Sequence, residues 1–70
     1  MPSSVIAAHS YDAARRELTI TFVTDRVYVY SGVPSEVAAA FSLALSKGIF
    51  FNARIRDQYR CRELTRGGRQ

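Results

Sequence analysis

Seventy residues with a formal charge of +4 make one small domain at most. Its core must be thin, because a chain of this size buries only about 60% of the surface it exposes when unfolded. A single cysteine, Cys61, excludes an internal disulfide, no apolar run approaches the roughly 20 residues that span a bilayer, and the opening "MPSSVIAAHSYD" lacks the basic start and long apolar run of a signal peptide. The expectation is a soluble, cytoplasmic protein with no membrane partner, since a lone thiol fits a reducing compartment.

Three extended segments lead the chain. "SVIAAHSY" (Ser4 to Tyr11) reads as a weak strand, its alanines having little β preference, and the polar "DAARRE" as a turn. "LTITFV" alternates with period two, setting Leu18, Ile20 and Phe22 against Thr19, Thr21 and Val23. That is the pattern of a half-buried antiparallel strand. After the short connection "TDR", "VYVYS" alternates again, with Val27 and Val29 against Tyr28 and Tyr30, and its β-branched and aromatic content suits a strand. A three-stranded meander is the economical arrangement.

"GVPSEVAAAFSLALSKG" reads as one long helix. Pro34 suits its first position and Glu36 complements the dipole. Val37, Ala40, Phe41, Ala44 and Leu45 make one apolar stripe, and Gly48 a stop. In "SKGIFFNARIRDQYR", Phe51, Ile55 and Tyr59 recur every four residues as a packing face, with Asn52, Arg56 and Arg60 as a polar row beside it. "YRCREL" also alternates, which fits a short terminal strand, while "TRGGRQ" reads as a disordered tail. The expected fold is therefore α+β: a three-stranded antiparallel β-meander, then one long and one short helix packed on the sheet, with an optional short terminal strand. The domain spans 3–64 and the tail 65–70.

These residues resemble the KTSC domain, a small module found at the C-terminus of some lysyl-tRNA synthetases and as stand-alone bacterial proteins. The resemblance is carried by Ser3 and Ser4, Tyr11 and Asp12, Leu18 to Phe22, Tyr28 and Tyr30, and Gly32, Val33 and Pro34. It continues through Ser46, Gly48, Phe51, Asn52, Ile55, Arg56 and Tyr59. The order and spacing run from Ser3 to about Leu64, with "TDR" standing where the family often has a glycine turn. What the resemblance implies is a non-enzymatic, nucleic-acid-binding module, with RNA favoured over DNA.

Charge points the same way. Residues 1–46 sum to −1 and residues 47–70 to +5, so basic character belongs to the C-terminal third. Such asymmetry favours a polyanionic partner, because arginine pairs with phosphate through two parallel hydrogen bonds. Solvated charged faces are the plainer explanation of the same residues.

Arg54, Arg60 and Arg62 are the candidates for phosphate contact. Arg56 and Asn52 admit two readings. They are either ligand contacts or, the favoured reading, structural, with Arg56 pairing with Asp12 or another acid and Asn52 capping a backbone group. Tyr28 and Tyr30 either stack bases from an outer sheet face or, again favoured, cover the second helix with their hydroxyls at the rim. "RGGR", Arg66 to Arg69, resembles one fragment of an RGG tail.

His9 and Cys61 stand in no catalytic or metal-ligand spacing, so neither enzyme activity, metal nor cofactor is expected. The competing function is a protein partner or a homo-oligomer formed through a sheet edge or an exposed aromatic face.

Overall fold

The structure, a computed structural model, describes residues 5–64. Four strands, β1 (Ile6–Asp12), β2 (Glu17–Phe22), β3 (Val27–Ser31) and β4 (Arg60–Leu64), form one antiparallel sheet in the order β1-β2-β3-β4. Between β3 and β4 come two short helices, α1 (Ser35–Leu43) and α2 (Lys47–Phe50). α2 runs directly into a π-helical turn, Phe51–Ile55, closed by the Arg56 amide donating to the Phe51 carbonyl at 2.8 Å. The α+β class and the meander are as expected, and the terminal alternation is a full fourth strand. Ser3 and Ser4, and the tail from Thr65 with its "RGGR", lie outside the described residues. No helix among the described residues is long and apolar enough to cross a membrane.

Local chemistry makes both hairpins. Asp12 Oδ1 accepts from the amides of Ala14 and Arg15 at 3.0 and 3.2 Å, an Asx turn that starts the first reversal, and Arg16 completes it at φ 56°. In the second, the Asp25 amide donates to the Phe22 carbonyl and Asp25 takes φ 72°. Aspartate is among the few non-glycine residues that tolerate this region, so "TDR" closes the turn without a glycine. Among the described residues the one glycine in the left-handed region is Gly32, at φ 75°, where the chain leaves β3 for the helices.

Register fixes the faces. Leu18 opposes Tyr30 and Ile20 opposes Tyr28, while Thr19 opposes Val29 and Thr21 opposes Val27. Directly opposed residues share a face, so both tyrosines point the same way as the β2 core residues. Leu18, Ile20, Tyr30, Val33, Ala38, Phe41, Phe51 and Ile55 form the core, with Phe22, Tyr28 and Tyr59 packed against it. Helices cover only this face. On the open face Val29 is nonetheless buried. Its register partner Arg62 reaches diagonally across it to Glu17, Nη1 to Oε2 3.5 Å, and the arginine stem roofs the valine.

The long helix is corrected. α1 ends at Leu43, Ala44 is extended at ψ 138°, and Ser46 starts α2 by accepting from the Ile49 amide at 3.3 Å. Ser46 offers that amide a partner that an unbroken helix has no need of. Gly48 therefore lies inside α2, buried, and is no terminator. Pro34 is the residue before the first turn, its carbonyl accepting from Val37 and Ala38. The predicted stripe holds at Phe41 but not at Ala40, which is exposed, nor at Leu45, which is fully solvent-exposed at 106%. A straight helix from Ser35 to Ile55 would run about 30 Å, nearly the full 35 Å length of the molecule. It would carry the chain away from β3, beside which Arg60 must begin β4.

Candidate nucleic-acid interface

The two tyrosines resolve in favour of the helix-covering reading. Tyr30 is 4% exposed, its ring set edge-on to Phe51 with centroids 5.4 Å apart, and Tyr28 is half-buried against Phe22 at 5.7 Å. Tyr30, so packed, has no free face for a base, and Tyr28 turns its ring toward the same helix-covered side. The outward-stacking alternative fails on register alone, because β3 turns its valines outward and its tyrosines inward. Tyr11, part of the same inner face, donates its hydroxyl to the Val33 carbonyl at 2.6 Å and ties β1 to the segment entering α1.

The four candidate arginines are all exposed but sit in different surroundings. Arg54, on the π-helical turn, lies over the Phe50 ring with Cζ 5.7 Å from the centroid, a cation–π contact that leaves its charge uncancelled. Arg56 donates to Asn52 Oδ1 at 3.5 Å. That geometry replaces the expected pairing of Arg56 with Asp12, whose carboxylate is occupied by its own turn and by Arg15 at 4.0 Å. It also replaces the expected backbone cap by Asn52. Arg60 opens β4 opposite Ser31 and forms no ion pair with a described residue. Arg62 is the exception, held by Glu17.

Two acids thus serve particular arginines. Glu17 pairs with Arg62, and Glu63 with Arg26 at 3.8 Å. The Arg26 guanidinium is held still further above its usual range by the Tyr28 hydroxyl and then by Glu63. Surface pairs of this kind add little to stability because water and salt screen them, but they cancel charge locally. Of the four candidates, Arg54, Arg56 and Arg60, in and just after the π-helical turn, have no carboxylate partner among the described residues, with Asp57 the acid between them in sequence. Both pairings join residues far apart in sequence, Glu17 of β2 with Arg62 of β4 and Arg26 just before β3 with Glu63 of β4, so only the β2-β3-β4 register could have disclosed them.

Tyr30 reports on this end of the fold. Burial, followed by the charge and hydrogen bond of neighbouring Cys61, pushes its phenol from 10.0 up to about 12. Between those values the unfolded chain has released a proton that the folded chain retains, so stability falls as pH rises through this window and is intact below it. Urea denaturation across pH 9 to 12 is expected to show this decline, flattened in Tyr30→Phe; an equal decline in the variant would assign it elsewhere.

A two-layer α+β module with an open sheet face and a cationic turn leading into its edge strand is the class these features define. The KTSC domain model matches residues 2–59, so the chain belongs to the KTSC domain family. The crystal structure of a KTSC domain protein from Yersinia pestis is similar over 93% of this chain and 92% of that one, at 37% identity and a TM-score of 0.87. Comparison with curated proteins gives no match.

Proposed function

We propose that this KTSC domain is a non-enzymatic binding module for single-stranded nucleic acid, RNA favoured, that meets the phosphate backbone through Arg54, Arg56 and Arg60. The observation that carries the reading is their lack of carboxylate partners among the described residues, while Glu17 and Glu63 are engaged by other arginines. Counting the exposed Asp57, the group keeps a net charge of +2. Uncancelled guanidinium groups on a flat molecule of 35 × 32 × 18 Å suit a flexible polyanion that can lie along them. With Tyr30 buried, charge rather than stacking supplies the affinity, so base preference is weak. The resemblance to a module attached to tRNA-charging enzymes favours RNA over DNA.

Pairing of sheet edges is the weaker reading. β4 presents Arg60 and Arg62, and β1 has a bulge between Ile6 and Ala8, both features that discourage strand addition.

Anisotropy titrations of labelled RNA oligomers, tRNA, single-stranded DNA and duplex test the proposal. For three phosphate contacts on a single strand, log K against log salt is expected to fall with a slope of about −2. Absence of binding at low salt, or affinity indifferent to salt, would sink it.

A further inference from the structure

Between the edge strand β1 and helix α1 lies a cavity of about 310 Å³, walled by His9 and Tyr11 on one side and by Ser35, Ala38, Ala39 and Ser42 on the other. The space is left because α1 meets β1 there with small side chains, spaced i, i+3, i+4 and i+7 along one face. Both rings in the wall are held in place by the fold itself. Tyr11 donates its hydroxyl to the Val33 carbonyl at 2.6 Å. His9 meets Phe41 edge-on, with centroids 5.0 Å apart and planes at 84°. Tyr30, by contrast, is closed in by the core.

The lining is polar without fixed charge. No Asp, Glu, Lys or Arg contributes to it, so it has no counter-charge for a phosphate, a carboxylate or an ammonium group. Its hydrogen-bonding groups are nonetheless unused. The His9 ring nitrogens and the Ser35 and Ser42 hydroxyls have no hydrogen-bond partner among the described residues. The two serines stand two helical turns apart, about 10 Å along the axis, with the methyl groups of Ala38 and Ala39 between them. That span accepts a flat heterocycle with a hydrogen bond of about 3 Å at each edge. The volume lies at the lower limit for small-molecule sites, about 300 Å³, which is room for one nucleoside and not for a longer segment.

We propose that this cavity takes a single unpaired nucleobase, its ring against His9 and Tyr11 and its polar edges toward the serine hydroxyls. Aromatic side chains are what unpaired bases stack on, and neutral donors and acceptors are what their edges require. The base comes from a bound strand or from a free nucleoside. The first source rests on the binding reading given above, and the second does not. A strand has the reach. β1 and β4 are the opposite edges of the sheet, three strand spacings or about 14 Å apart, which a few nucleotides of single strand cover. The arginines then hold the backbone without reading bases, and the cavity adds one modest base contact.

The first arm of the test titrates isotope-labelled protein with adenosine, followed by nuclear magnetic resonance. Adenosine has no phosphate and so makes no call on the arginines. Saturable amide shifts are expected at His9, Tyr11, Ala38 and Ala39, and none with ribose. Ala39→Leu is expected to abolish them with an unchanged melting curve, because Ala39 is exposed, leucine suits a helix and its side chain fills the cavity. Absence of saturable shifts at these residues overturns the proposal, and so do shifts that survive Ala39→Leu. The second arm compares wild type and Ala39→Leu on a labelled oligoadenylate by anisotropy. A base drawn from the strand is expected to make the variant bind about tenfold more weakly at an unchanged salt slope. Equal affinities, with adenosine bound in the first arm, assign the cavity to a free nucleoside. Failure of the phosphate reading leaves the adenosine shifts in place, so the two readings fail separately.

Discussion

Phe51→Ala is expected to leave much of the population unfolded. Phe51 is 6% exposed and meets Phe22 and Tyr30 edge-on, both at 5.4 Å. It is the ring through which the π-helical turn is fastened to β2 and β3. Truncating a buried phenylalanine costs about 3–5 kcal/mol, and each aromatic contact adds about 0.5–1.5 kcal/mol beyond its area. A domain of 70 residues has a total stability of only about 4–10 kcal/mol. The loss therefore consumes most of the reserve. β4 suffers with it, since all five of its residues are exposed and its support is the pairing with β3. Urea denaturation followed by circular dichroism measures the effect. Leu45→Ala is the control: a large apolar side chain that the sequence pattern also placed on a packing face, but outside the core, and expected to change stability by no more than about 0.5 kcal/mol. Equal losses in the two variants would contradict this placement of the core.

That contrast shows what residue patterns can and cannot disclose. Period two in "LTITFV" identifies β2 and its buried face because its two faces differ in polarity: Leu18 and Ile20 point inward, Thr19 and Thr21 outward. "VYVYS" identifies a strand but not its inner face, since valine and tyrosine both pack well. The choice is made by register with β2, and by the Arg62–Glu17 pair that covers Val29 from outside. Likewise, spacing by four finds Phe51 and Ile55, which are both buried, whereas the α1 stripe runs on to Leu45 although the helix does not. Nothing in an unbroken run of alanine and leucine marks a break. Ser46 marks it, and a serine within a helical pattern becomes a cap only when the chain must turn. Of the candidate site, the arginines were legible as a cluster of charge. Which of them keep their charge uncancelled was not, because Glu17 and Arg62 lie 45 residues apart and meet only across β3.

Replacing Arg54, Arg56 and Arg60 together by alanine is expected to lower RNA affinity by about 100-fold at 0.1 M salt. Each single-strand phosphate contact contributes a salt slope of about −0.7, which amounts to about fivefold in affinity at 0.1 M and vanishes near 1 M. Three contacts multiply. All three side chains are exposed, and the interactions lost are a cation–π contact and one long hydrogen bond, so the fold is expected to survive. The salt slope should flatten in step with the affinity, which distinguishes lost phosphate contacts from a partly unfolded sample. Glu17→Gln makes the opposite change. It releases Arg62 from its carboxylate and is expected to raise affinity and steepen the slope by about 0.7 if the nucleic acid extends along the outer face of β4. A strand confined to the π-helical turn would leave Glu17→Gln without effect, which locates its path. An unchanged affinity in the triple arginine variant would refute the assignment of these residues altogether.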